Sequence, residues 1–312
     1  MTPTDFPEAS MTTPASNEPH APRRIPEEVV LLSAGPGDLE LLTLKAVRAL
    51  QAAEVLLLDE LVNPQIVELA PRARVIRVGK RGGCRSTPQA FICRLMRRYA
   101  MQGLRVVRVK GGDALLFGRA GEEIVFLRDA GVPVRIVNGV SAAFAAAASL
   151  GVSLTHREHC HGLTFVTAHT ADHGEPDWKA LCATGTTLAI YMGMGRVESI
   201  ARALMRHLPA DTPAAVVQSA SQPGETRLLT SLQRLARDAA DARDAGSPGV
   251  ILVGAALAEA QSAAEPTSPL LAPSPACGGR GRPACAALPR GSAERPARCA
   301  GQGGLGWGRS SP

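Results

Sequence analysis

Lys110-Gly111-Gly112-Asp113-Ala114-Leu115-Leu116-Phe117-Gly118-Arg119-Ala120-Gly121-Glu122-Glu123 is a glycine-rich stretch that carries one Asp and ends in two Glu. Before it, Leu104 to Val109 reads as a buried strand; after it, Glu122 to Ala130 reads as an amphipathic helix. Adjacent glycines at the end of a parallel-type strand let a backbone approach a ligand closely, because no Cβ intervenes. In open α/β sheets, ligands bind at the carboxyl ends of strands. An Asp there can accept hydrogen bonds from ligand hydroxyls or an amine. The competing reading is a tight strand–helix turn with Asp113 as its cap. The rest of the chain chooses between them.

Upstream, Val29 to Ala34 is an aliphatic run that breaks at Gly35-Pro36-Gly37-Asp38. Two glycines around a proline preset a sharp turn. Thr43 to Ala53 carries Leu44, Val47 and Leu50 at helical spacing, and Val55 to Leu58 is a second strand ending at Asp59. Strand, glycine loop, helix and strand make a βαβ unit, so a parallel sheet is expected. Val75 to Val78 is a third strand, followed by Gly79-Lys80-Arg81-Gly82-Gly83 and a helix from Pro88 to about Met101. Downstream, Val134 to Val137 leads through Asn138-Gly139-Val140-Ser141 into a small-residue helix, Ala142 to Leu150, whose alanines allow close packing on a sheet. This half closes at Leu154-Thr155-His156-Arg157.

A second α/β half follows. Strands are expected at 163–167, 187–191, 214–218 and 249–254, an edge strand at 227–231, and helices at 196–208 and 232–242. Domains are therefore expected at 28–157 and 158–258, with a disordered leader at 1–27. Residues 259–312 hold 9 Gly and 8 Pro without apolar periodicity, and are expected to be a disordered tail.

Composition excludes several classes. Hydrophobic residues make up 45% of the 312, enough for a sizeable core, yet no apolar run reaches bilayer-spanning length. The first 26 residues lack the apolar core of a signal peptide, so a cytoplasmic location is expected. The seven cysteines form no CxxC pair and fit a reducing compartment. Of the net charge of +6, +4 lies from Glu265 onward, so the foldable part is nearly neutral. With aromatics at 3%, nucleic acid is not an expected partner, nor is a membrane. His156, His159, Cys160 and His161 look superficially like a metal site. They lie too close in sequence to face one centre, and no metal is expected.

The loops at Gly35–Asp38, Gly111–Asp113, Ser141-Ala142, Met192-Gly193 and Ser219–Ser221 all stand at strand ends. None is a GxxxxGK[ST] loop, and none is a GxGxxG in a first βα turn. A cofactor without phosphates, held by close backbone contact, fits better. Taken singly, Met192 at a strand end reads more readily as core than as a ligand contact, and Asp59 as a cap or surface residue.

Together these motifs resemble the tetrapyrrole methylase family, and within it the uroporphyrinogen-III C-methyltransferases. The resemblance rests on 34–46 (AGPGDLELLTLKA), 56–62 (LLLDELV), 78–83 (VGKRGG), 106–123 (VVRVKGGDALLFGRAGEE), 138–157 (NGVSAAFAAAASLGVSLTHR), 186–193 (TTLAIYMG) and 247–254 (SPGVILVG), in family order over roughly 28–258. It implies two α/β domains with S-adenosyl-methionine in the cleft between them, usually in a homodimer. The implied reaction is two methyl transfers to uroporphyrinogen III, at positions 2 and 7 of the macrocycle, giving precorrin-2 for sirohaem, cobalamin or haem d1. The implied cofactor contacts are Pro36, Gly111, Gly112, Asp113, Leu116, Ser141, Ala142, Met192 and Ala220; the proton acceptor falls on Asp59 and the donor on Lys80.

The physical reading agrees. A methyl sulfonium is already an activated electrophile, so the enzyme mainly positions a carbon nucleophile and excludes water. A proton must then leave the ring, which suits a carboxylate such as Asp59. The substrate's carboxylates call for cations, and Arg81, Arg85, Arg119 and Arg157 are the candidates beside Lys80. The chain departs from the family pattern at Ala114, where Pro is usual, at Asn138, where Pro is common, and at Leu58, where Tyr is frequent. With no upstream dehydrogenase–ferrochelatase stretch, a stand-alone methyltransferase is expected. Methylation of a later precorrin, or of rRNA on the same fold, are the other readings; near-neutrality argues against the latter.

Overall fold

The computed structural model describes residues 25–79, 87–169, 174–242 and 246–259. All of them belong to one compact unit, Met1–Glu265. Lys80, Arg81, Arg85, most of the expected leader and nearly all of the expected tail lie outside the described residues.

The first sheet contains β1 (Val29–Ser33), β2 (Val55–Leu58), β3 (Arg74–Arg77), β4 (Val106–Lys110) and β5 (Val134–Val137). Their order is β3-β2-β4-β1-β5, and every pairing is parallel, as the βαβ reading expects. Strand alternation sorts the side chains. Val30, Leu32, Leu56, Leu58, Val107 and Val109 pack toward α1 (Leu44–Ala52). Val29, Leu31, Val55, Leu57 and Val106 pack toward α2 (Gln89–Met101) and α3 (Ala120–Asp129). Helices on both faces explain why the inner strands read as continuous apolar runs.

The second sheet contains β6 (Leu163–Thr167), β7 (Thr187–Tyr191), β8 (Pro213–Gln218), β9 (Thr226–Ser231) and β10 (Gly249–Val253), in the order β6-β7-β10-β8-β9. Only β6 with β7 is parallel; β10 and β9 pair antiparallel with their neighbours. One face is covered by α5 (Trp178–Ala183), α6 (Val197–Leu204) and α7 (Leu235–Ala242). α5 is missing from the sequence reading, because six residues carry too little periodicity to detect.

The other face of this sheet is covered by a helix from the first half of the chain. α4 (Ala142–Leu150) sets Ala143, Ala145, Ala146 and Ala147 against Ala189, Ala215, Val217, Val250 and Leu252. Methyl side chains on both partners permit the close approach. The sheet on which the α4 alanines pack is thus the second, not the one whose strand leads into them. This helix carries the first half of the chain onto the second sheet, and loops at the strand ends of both sheets line one cleft.

Candidate active site

The loops after β1 and β4 are joined glycine to glycine. Gly35 N–H donates to the Gly112 carbonyl at 3.1 Å, and Gly112 N–H to the Gly35 carbonyl at 2.7 Å. Both have positive φ, +71° and +64°, where an L side chain is strained. A Cβ on Gly112 would meet nothing nearer than the Ala142 nitrogen at 4.0 Å, so the space above it is open.

Asp113 ties this floor to the next loop. Its Oδ1 accepts the Leu115 N–H at 2.9 Å and its Oδ2 accepts the Gly139 N–H at 3.0 Å. The sequence posed a choice between turn and site; the carboxylate makes the turn, and the residue also lines the cleft. Ala114, at the position where the family pattern has Pro, donates its N–H to the buried Ser33 Oγ at 2.9 Å. Proline has no such hydrogen to give.

From the second sheet, the 219–222 loop clasps the first. Gln222 Nε2 donates to the Pro36 carbonyl at 3.1 Å, and Ser221 Oγ accepts the Asp38 N–H at 3.1 Å. Tyr191, at the end of β7, bonds Ser141 Oγ at 2.6 Å and accepts the Ala143 N–H at 2.9 Å. Burial pushes the Tyr191 hydroxyl up from its ordinary value, with both bonds pulling the other way.

Between these loops lies a cleft of about 410 Å³, in the size range of small-molecule sites. Gly111, Gly112, Asp113 and Leu116 line it from the first sheet, with Pro36. Ser141 and Ala142 line it from the start of α4, and Met192 and Ala220 from the second sheet. Asp59 stands at its edge, at the end of β2. Met192 is 51% exposed, with φ +56°, so the core reading of this methionine fails.

Backbone strain concentrates here. Among the described residues, the non-glycine positive φ values fall on Phe117, Arg119, Met192, Ser219 and Ser221. Phe117, Met192 and Ser219 line the cleft, and the other two belong to the same loops. Each such residue costs on the order of 1–3 kcal/mol and persists only where surrounding structure enforces it.

The candidate arginines are distributed differently. Arg119 sits at the start of α3, exposed and paired with Glu122 at 2.7 Å; it does not line the cleft. Arg157 is exposed and also outside the lining; its carbonyl is bonded by His161 Nε2.

The histidine group is more compact than its sequence spacing suggested. His156, Glu158 and His159 bring ligand atoms within 4.8 Å of one another. However, the His156 and His159 rings stack at 4.5 Å with an interplanar angle of 10°. Nearly parallel rings cannot aim in-plane lone pairs at one ion. His156 Nδ1 also accepts the Glu158 N–H, and its Nε2 lies 3.2 Å from Glu259.

The sequence reading missed a set of buried charges behind Asp59. Arg108 and Lys110, two apart on β4, meet Glu123 from α3, and all three are buried. Desolvation lowers the Lys110 ammonium from its ordinary value, with the Arg108 charge acting in the same direction. The sequence signal was available: two cations at the same strand parity within an otherwise apolar central strand.

The model of the Tetrapyrrole (Corrin/Porphyrin) Methylases matches residues 28–236, about two thirds of the chain. The chain belongs to the tetrapyrrole methylase family. It is similar to the uroporphyrinogen-III C-methyltransferase of Pseudomonas aeruginosa, 51% identical over 229 residues, covering 73% of this chain and 93% of that one. It is 45% identical over 234 residues to siroheme synthase 2 of Aeromonas hydrophila; this covers 74% of the chain but only 49% of the synthase. Among solved structures, it resembles the uroporphyrin-III C-methyltransferase of Thermus thermophilus complexed with S-adenyl homocysteine. There the TM-score is 0.64 at 38% identity, covering 74% of this chain and 99% of the other. As a tetrapyrrole methylase, the chain has its match centred on the two-sheet region, and the cleft-lining loops up to Gln222 fall inside it.

Proposed function

We propose that this tetrapyrrole methylase is an S-adenosyl-methionine-dependent uroporphyrinogen-III C-methyltransferase. It makes precorrin-2 by methylating positions 2 and 7, for sirohaem, cobalamin or haem d1 synthesis. One observation carries the reading: a single cleft between two sheets is lined by every residue that the family resemblance implies as a methyl-donor contact, and by Asp59.

The residues present fit that donor. Gly111 and Gly112 leave the floor free of side chains, and the space above Gly112 is open. Leu116, Phe117, Met192, Met194, Val217 and Val250 supply apolar wall. When bound, S-adenosyl-methionine supplies a methyl group already activated by its sulfonium. Pro36, Gly111, Gly112, Asp113, Leu116, Ser141, Ala142, Met192 and Ala220 hold and orient it. A close, dry contact with the ring carbon is the main demand on the protein. Asp59 takes the proton that the macrocycle releases after the methyl transfer, and Lys80 is the proton donor. Arg81, Arg85, Arg119 and Arg157 pair with substrate carboxylates. The enzyme acts as a cytoplasmic homodimer, with domains at 28–157 and 158–258. No helix among the described residues is long and apolar enough to cross a membrane.

The test is incubation of the purified protein with S-adenosyl-methionine and uroporphyrinogen III, followed by mass spectrometry. A product carrying two added methyl groups is expected. No mass gain, with methylation of a later precorrin instead, would overturn the substrate assignment.

A further inference from the structure

Three charged side chains are buried where aliphatic ones would suffice. Arg108 is 2% exposed, Lys110 4% and Glu123 0%. Arg108 and Lys110 sit on the face of β4 that packs against α2 and α3, and Glu123 meets them from α3. Glu123 is the hub. Its carboxylate accepts from Arg108 Nε at 3.3 Å, from Lys110 Nζ at 3.1 Å and from Gln89 Nε2 at 2.9 Å.

The cluster has an outlet. Arg108 Nη2 donates to Asp59 Oδ2 at 3.1 Å, while Asp59 Oδ1 accepts the Glu60 N–H at 3.0 Å. Each oxygen of the Asp59 carboxylate is thus held by one donor, and the side chain remains 36% exposed at the cleft.

Stability is a poor explanation for this arrangement. Replacing a buried ion cluster by apolar groups of similar volume is often neutral or stabilising. Pairing a carboxylate as exposed as Asp59 adds little, because solvent screens it. What the arrangement does fix is direction. A guanidinium is a rigid fork that can engage two carboxylates at once. It also stays charged at any working pH, so it holds Asp59 without competing for a proton.

We propose that Arg108 is the positioning residue of Asp59, anchored from behind by Glu123, a role that rests on the methyltransferase reading above. Arg108 touches neither donor nor substrate. It acts by keeping the Asp59 carboxylate at one place and angle, where it meets the proton leaving the ring. Lys110 shares Glu123 and balances its charge.

Arg108→Lys and Arg108→Gln test this, alone and combined with Asp59→Asn. Lysine keeps a cation beside Glu123, but a single ammonium cannot span both carboxylates. Glutamine leaves Glu123 balanced by Lys110, and serves if the lysine variant does not fold. Each is expected to lower kcat for uroporphyrinogen III methylation about tenfold or more, with KM for S-adenosyl-methionine and calorimetric affinity for S-adenosyl-homocysteine unchanged. In the Asp59→Asn background, either change is expected to add no further loss. Undiminished kcat, losses that multiply in the double variants, or a loss confined to cofactor affinity would overturn the role while leaving the reaction standing. A folded wild type that methylates nothing would overturn the reaction and this role together.

Discussion

Tyr191 Oη and Ser141 Oγ lie 2.6 Å apart, and the same phenol oxygen accepts the Ala143 N–H at 2.9 Å. One hydroxyl at the end of β7 therefore pins the first turn of α4, the helix that carries the first half of the chain onto the second sheet. Phe117 packs on the same ring, with centroids 5.2 Å apart. Tyr191→Phe keeps the ring but leaves a helix N–H and a serine hydroxyl without this partner. The expected cost is about 1–3 kcal/mol by thermal or urea unfolding, with weaker S-adenosyl-homocysteine binding by calorimetry.

Two glycines in joined loops are expected to respond differently to alanine. At Gly112 only the left-handed backbone resists, about 1–2 kcal/mol, because no atom lies close to the new Cβ. At Gly37 the new Cβ would collide with the Gln222 side chain at Cγ, so the clasp between the loops must open. Gly37→Ala should therefore expose the 219–222 loop to faster amide exchange, while Gly112→Ala should leave it unchanged.

Asp113→Ala removes the acceptor for both Leu115 and Gly139 N–H groups. The floor and the entry to α4 then lose their tie. Affinity for S-adenosyl-homocysteine is expected to fall at least tenfold by calorimetry, whereas Asp113→Asn, which keeps an acceptor oxygen, should fall less.

Stability at acid pH offers a separate check, away from the cleft. Asp238 on α7 accepts from Thr230 Oγ1 at 2.6 Å and pairs with Arg237 and Arg234. The Thr230 hydrogen bond, aided by both arginines, holds its carboxyl below the ordinary 3.8. A carboxyl lowered on folding contributes stability that is complete above its unfolded value and lost as pH falls through its folded one. Asp238→Asn should lower Tm by a few degrees at neutral pH, and the gap should close below pH 3.8, as scanning calorimetry would show.

Much of the first sheet was legible in the residues. Its inner strands are aliphatic runs punctuated by glycine loops, and the parallel order follows from the intervening helices. The destination of α4 was not legible. An alanine-rich helix states that it packs closely, not on what, and the facing Ala189 and Ala215 lie more than thirty-five residues further on. The mixed pairing of the second sheet was hidden for a related reason, since apolar runs such as β8 and β10 fit either direction. Arg108 and Glu123 were missed because charge in sequence reads as surface, whereas the packed face of β4 against α3 holds them buried. Among the proton-handling candidates, Asp59 lines the cleft, while Lys80 lies outside the described residues.

We propose that loops from both sheets form one site for the methyl donor. Hydrogen exchange with and without S-adenosyl-homocysteine tests it most directly. Slowed exchange is expected together in 35–38, 111–118, 141–143, 192–195 and 219–222. Protection confined to the loops of one sheet, or appearing elsewhere in the chain, would contradict it.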